Sequence, residues 1–276
     1  MKIAIVGLGI IGGSYAKAIK EYTNHYVIGI DTNAEVLDNA LNIGAIDEIG
    51  TGRDLAKVDM IILCIYPHLA VEFVEQNGKY IKPDTIVTDS SGIKRHICTQ
   101  MLQLSKKYNF TFIGSHPMAG KEKSGFAVSE ASLFKRASLI VVPCDAPEDK
   151  IEVLTTLAND IGFGGVKFCN AEQHDTMVAF TSQLPHILAC SYVLSPQCPN
   201  HKGFSAGSYR DVSRVANINA ELWSELFLQN KEPLLSEIDI LIDNINKLKT
   251  LIQNEDTQTL YDLLDTSRRV KEESDR

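Results

Sequence analysis

A chain of 276 residues, 44% hydrophobic and 22% charged, is long enough for two cores and lacks the composition of a disordered or fibrous protein. Its net charge of −8, without a basic run, gives nucleic acid no electrostatic footing. No apolar stretch is long enough for a membrane span or a signal sequence, and six cysteines scattered without a CxxC pair read as buried free thiols; a cytoplasmic protein with no metal site is expected.

In chain order, short apolar runs predict strands over 2–6, 26–31, 60–65, 85–89, 110–114, 139–143 and 165–169. Helical patterns fall between them, over 33–43 and 93–108, and another opens at Pro147-Glu148-Asp149 with a proline and acids suited to a first turn. The alternation predicts an α/β doubly wound parallel sheet of the Rossmann type over 1–169. From Asn170 the strands stop, and helical patterns follow over 171–194, 209–217, 221–251 and 256–270, so 170–276 is expected to be an all-α C-terminal domain. A loop rich in Ser, Pro and Gly spans 195–207. Within the longest pattern, Leu234, Ile238, Leu241, Ile245, Leu248 and Leu251 step by three or four and form one stripe, expected to pack on a helix of the same chain or of a dimer partner.

The first strand runs into Gly7-Leu8-Gly9-Ile10-Ile11-Gly12. In a GxGxxG between strand and helix, the first glycine permits the turn, the second lets the backbone approach a pyrophosphate, and the third lets helix and strand pack closely. Asp31 ends the second strand, about 20 residues on, where an acid meets the ribose hydroxyls of a dinucleotide. Thr32 and Asn33 follow it, and the nearest downstream basic residue is Arg53. A 2′-phosphate would meet an uncompensated carboxylate, so NAD is expected over NADP. The cofactor-binding candidates are Gly7, Leu8, Gly9, Ile10, Ile11, Gly12 and Asp31.

Four further segments carry polar groups. The block GSHPMAGKEKSG (114–125) places His116 among small, turn-forming residues after a strand, where an imidazole of ordinary pKa about 6.5 exchanges protons near neutrality. The segment TDSSGIK (88–94) lies at a strand's C-terminal end, where open α/β sheets bind ligands; Ser91 reads equally as a helix N-cap. In SQLPH (182–186), Pro185 interrupts an apolar helix and sets Ser182 and His186 one turn apart, although such a histidine is more often a core residue than a ligand. In GSYRDVSRVA (207–216), Ser208 and Asp211 have capping-box spacing, and Arg214 reads either as an i,i+3 partner of Asp211 or as a planar fork for a substrate carboxylate.

Taken in this order, GLGIIGGS, the His116 block, His174-Asp175, SQLPH and YRDVSRVA followed by Trp223 resemble the prephenate dehydrogenase family nearly end to end. The resemblance implies oxidative decarboxylation of prephenate by NAD in tyrosine biosynthesis. It implies His116 as the catalytic histidine, Arg214 as the carboxylate ligand and His186 as a substrate-positioning residue. It also implies Glu122 and Asp211 in an ionic network at the pocket entrance, and Trp223 near the site. A monofunctional homodimer without an appended mutase or regulatory domain is expected, with tyrosine as a candidate feedback inhibitor.

Three positions depart from the family pattern. Gly92 stands where a hydroxyl partner of the catalytic histidine is usual, so Ser91 must substitute or the contact is lost. Lys121 replaces a Ser or Thr, which would alter the pocket's charge. Gln183 replaces a histidine, which leaves the substrate side chain open. The rival readings are an arogenate dehydrogenase, a β-hydroxyacid dehydrogenase, whose lysine motif does not stand out here, and an NAD-sensing module without turnover.

Overall fold

The computed structural model describes residues 1–121 and 123–275. Eight strands form one sheet in the order β3-β2-β1-β4-β5-β6-β7-β8: β1 (Lys2–Val6), β2 (Tyr26–Ile30), β3 (Glu48–Ile49), β4 (Met60–Leu63), β5 (Ile86–Asp89), β6 (Thr111–Pro117), β7 (Ser138–Val142) and β8 (Gly165–Phe168). Strand order reverses at β1, between β2 and β4, and the crevice at such a reversal is where open α/β sheets take nucleotides. The inner strands are buried on both faces. Ile3, Ile5, Met60 and Ile62 face one core, and Ala4, Val6, Ile61 and Leu63 the other.

Helices α1 (Ile10–Tyr22), α2 (Ala34–Asn42), α3 (Pro67–Asn77), α4 (Arg95–Tyr108) and α5 (Glu148–Asp160) flank this sheet. Tyr15, Ala16 and Ile19 of α1 and Leu154 and Leu157 of α5 fill the first core, whereas Ala70 and Val74 of α3 and Ile97, Met101 and Leu104 of α4 fill the second. After β8 come α6 (Ala171–Val178), α7 (Leu184–Val193), α8 (Gly207–Ser213), α9 (Ala220–Gln229), α10 (Lys231–Gln253) and α11 (Thr257–Ser274). Among the described residues, no helix is long and apolar enough to cross a membrane.

Four features differ from the sequence reading. The sheet is not wholly parallel, because β6 and β7 run antiparallel, with Gly114 opposite Val142 and His116 opposite Ile140. That pairing extends β6 three residues past its expected end, so His116 sits in a strand rather than on a turn. β3 was not foreseen, since two residues carry no readable alternation. The expected helix over 171–194 is interrupted by a π-helical turn at Ala179–Gln183, just before Pro185, which lacks the N–H that would continue the ladder.

Candidate active site

At the end of β1 the chain turns through Gly7, whose φ of +87° is left-handed. A Cβ on Gly12 would lie 1.8 Å from the Gly7 carbonyl oxygen, whereas a Cβ on Gly9 would meet nothing within 4 Å. The loop is thus closed toward the sheet and open at Gly9, as close approach of a diphosphate requires. Helix α1 starts at Ile10 with no side chain capping it, which leaves its first amides and its positive dipole end for an anion. Asp31 adjoins the loop: its Oδ2 accepts from the Leu8 N–H at 2.6 Å and its Oδ1 from the Asn33 N–H at 2.9 Å. The carboxylate and the glycine loop therefore form one preorganised cradle, and the residues present fit a dinucleotide.

His116 projects beyond the end of β5. There the Asp89 carboxylate continues the sheet in place of backbone, accepting from the Ser115 N–H at 3.1 Å and the Ser91 N–H at 2.9 Å. Its other contact is Lys94 Nζ at 2.5 Å, and both side chains are wholly buried. The His116 ring meets His174 of α6, Nδ1 to Nε2 at 2.9 Å, and Nδ1 of His174 meets Asp175 Oδ1 at 2.7 Å. Burial, the His174 ring and the Lys94 cation hold the His116 imidazole well below the ordinary histidine value, so it is neutral at pH 7.

Ser91 does not fill the expected role. Its Oγ is buried without a hydrogen-bond partner, and the Nδ1 of His116 is taken by His174. Nor does Ser91 cap α4, because that helix starts two residues later than expected. Asp175 caps it instead, accepting from the Lys94 N–H at 2.7 Å and the Arg95 N–H at 2.8 Å. Gly92 lies close to His116, since a Cβ there would stand 3.9 Å from His116 Cε1 and 3.6 Å from Leu226 Cδ1.

Leu226 lies on α9, and Trp223, one turn earlier, stacks on the His186 ring with centroids 3.7 Å apart. One helix thus joins the His116 side of the site to the His186 side. His186 Nδ1 donates to the Ser182 carbonyl in the π-helical turn at 2.8 Å, which leaves Nε2 of the neutral ring as an acceptor. Burial pushes the His186 pKa down, the Ser182 bond opposes that, and the nearby Arg214 charge lowers it further. Arg214 starts a short 3-10 turn (Arg214–Ala216) that packs on α7, so a guanidinium and an imidazole share this end of the site.

The remaining expected residues fall elsewhere. Asp211 is exposed on α8 and lies 3.9 Å from Arg210 in a loose ion pair. No capping box forms there, since α8 starts at Gly207 with Ala206 at its cap position. Glu122 lies outside the described residues. Lys121 pairs with Glu130 at 2.7 Å, which offsets the charge it was expected to add to the pocket. Gln183 is buried in packing: its Nε2 donates to the Leu226 carbonyl and its Oε1 accepts from Asn230. The sequence reading assigned no role to Lys94 or to His174-Asp175. The available signal was a lysine five residues beyond an acidic strand end, and an HD pair in the first helix after the last strand.

Comparison with known proteins settles the family. Residues 15–165 match the prephenate dehydrogenase nucleotide-binding domain, and residues 170–266 the prephenate dehydrogenase dimerization domain. The chain belongs to the prephenate dehydrogenase family. It is 31% identical to prephenate dehydrogenase of Bacillus subtilis over 96% of this chain and 74% of that one. The crystal structure of prephenate dehydrogenase from A. aeolicus, in complex with hydroxyphenyl propionate and NAD+, superposes with a TM-score of 0.88 at 26% identity, covering 99% of this chain and 98% of that one. Synechocystis arogenate dehydrogenase superposes with a TM-score of 0.85 at 27% identity, covering 99% of both chains. Structures of 3-hydroxyisobutyrate dehydrogenases, at 13–15% identity, share the fold alone.

Proposed function

We propose that this protein is an NAD-dependent prephenate dehydrogenase that converts prephenate to 4-hydroxyphenylpyruvate with loss of CO2. The observation that carries the reading is a neutral, half-buried His116 held where the sheet edge meets the helical half, with His186 and Arg214 across α9. His116 takes the ring hydroxyl proton as the carbinol carbon is oxidised. Arg214 pairs with a substrate carboxylate, and His186, braced by Trp223 and Ser182, holds the substrate in line. When bound, NAD+ supplies the hydride acceptor. Loss of CO2 makes the ring aromatic, so the chain needs chiefly to orient one substrate and hold one base. Asp31 favours NAD over NADP, because a 2′-phosphate would face its carboxylate.

We divide the chain at 169/170 into nucleotide-binding and helical domains, and we assign it to the reducing cytoplasm, in keeping with six free cysteines. The helical half is proposed as the homodimer interface. Tyrosine shares the phenol of the product and is proposed as an inhibitor at the same pocket. The second reading is arogenate dehydrogenase, favoured by the likeness to the Synechocystis enzyme. The test mixes the protein with NAD+ and either substrate, with and without tyrosine, and follows NADH and the aromatic product together. Turnover of prephenate with the higher kcat/KM is expected; preference for arogenate establishes the second reading, and no turnover of either removes both.

A further inference from the structure

We propose that His174 and Asp175 are positioning residues that lock His116 in the tautomer whose Nε2 lone pair is left to take the substrate's proton. The proposal rests on the reading of His116 as the base. It follows from two contacts and the valence of each atom. An ionised carboxylate only accepts, so the 2.7 Å contact from Asp175 Oδ1 puts the hydrogen of His174 on Nδ1. Neutral His174 then carries its lone pair on Nε2, 2.9 Å from Nδ1 of His116. A lone pair there must receive a hydrogen, which fixes the hydrogen of His116 on Nδ1 and leaves Nε2 as its only basic atom.

The pair is built to hold that arrangement. Burial pushes the Asp175 carboxyl up, but hydrogen bonds from His174, Arg95 and Lys94 outweigh it and hold the group below the usual carboxylate range, so it is ionised at neutral pH. Both of its oxygens are pinned by the first turn of α4, and its main-chain carbonyl accepts from Asn230 Nδ2 at 2.9 Å. His174 is 2% exposed, so no water competes for its ring. The charged groups around the pair are Lys94, bound to Asp89, and Arg95, whose Nε lies 3.6 Å from Asp175. When a proton reaches Nε2 of His116, the hydrogen already on Nδ1 points at His174. The positive charge is thereby shared with a ring that faces a carboxylate, and no atom or electron is gained or lost beyond the substrate's proton.

The test has two arms. In the first, 15N NMR of the histidine rings in the substrate-free protein reads tautomers directly; Nδ1–H is expected for both His116 and His174, and an Nε2–H His116 overturns the proposal. In the second, His174→Phe removes the acceptor at similar volume, whereas His174→Gln offers an amide oxygen to His116 and an amide NH2 to Asp175. His174→Phe is expected to lower kcat about 100-fold, with KM and NAD+ affinity within about threefold, and His174→Gln to restore kcat to within about threefold of the parent. Equal losses in both variants, or none in His174→Phe, overturn it. If His174→Phe does not fold, the NMR arm and His174→Gln still decide. Failure of the parent protein to oxidise prephenate would count against the proposed function, whereas the NMR arm does not depend on substrate.

Discussion

At the scale of single residues, His116→Asn keeps a hydrogen-bonding side chain of similar size but removes the titrating nitrogen. It is expected to lower kcat by about 10²–10⁴-fold with cofactor affinity intact, as loss of a general base does. Steady-state rates and a fluorescence titration with NAD+ check this together, and a variant within a few-fold of the parent would take His116 out of the base role. Arg214→Ala tests the other end of the substrate. Loss of a charged hydrogen bond to a carboxylate is expected to weaken binding by about 1.5–3 kcal/mol, seen as a raised KM; an unchanged KM would leave Arg214 with only its contacts to the neighbouring helices. The contrast between the two variants matters, since one should act on kcat and the other on KM.

At the scale of elements, α9 and the segment after it form the seam of the site, and Asn230 is the buried knot in that seam. It donates to the Asp175 carbonyl and to Gln183 Oε1, and it is wholly buried. Asn230→Ala leaves the buried Gln183 Oε1 without its donor and the Asp175 carbonyl with only the Ala179 N–H, and is expected to cost about 1–3 kcal/mol in urea unfolding. The seam also shows what could be read from sequence. Glycines and a strand-ending acid announce the cofactor cradle because each answers to local backbone geometry, and the seven longer strands announce themselves by apolar runs. The extension of β6 through His116 was hidden because it depends on β7 arriving antiparallel more than twenty residues later in the chain. The capping of α4 was misassigned to Ser91 for a similar reason: the real cap, Asp175, belongs to a helix that no local rule places beside Lys94. Gln183 stood out in the sequence only as a departure that left the substrate side chain open, and its amide is spent between the Leu226 carbonyl of α9 and Asn230.

At the scale of the whole molecule, the last two helices leave a set of large apolar side chains open. Leu234 is the one buried residue of α10, while Ile240, Ile242, Ile245 and Ile252, with Tyr261, Leu264 and Val270 of α11, lie open. Of the expected stripe, Leu234 packs within the chain and Ile245 is exposed. Ile245→Glu is expected to shift a dimer toward monomer in sedimentation velocity, and an unchanged mass would place the contact on another face. Acid should also loosen the fold as a whole. His116, His174 and His186 all titrate below the ordinary histidine value, chiefly through burial. Below about pH 6.5 the unfolded chain takes up protons that the folded one resists, so stability falls as pH falls. For His174 alone the slope is at most about 1.4 kcal/mol per pH unit. The lowered Asp175 carboxyl adds a further loss only below about pH 4. Urea midpoints at pH 7.5 and 5.5 check the sign; equal midpoints would contradict it.

One arrangement bears on how far such a protein can be taken apart. Asp175 caps the first turn of α4, and Glu225 of α9 accepts from the His68 N–H at 3.0 Å in the first turn of α3. Two helices of the nucleotide-binding half thus start on carboxylates lent by the other half. That half is therefore no interchangeable cassette: joined to a helical partner lacking these carboxylates, it would inherit two uncapped helices and a His116 without its His174 contact. Any exchange of parts of this chain must carry both carboxylates across the joint.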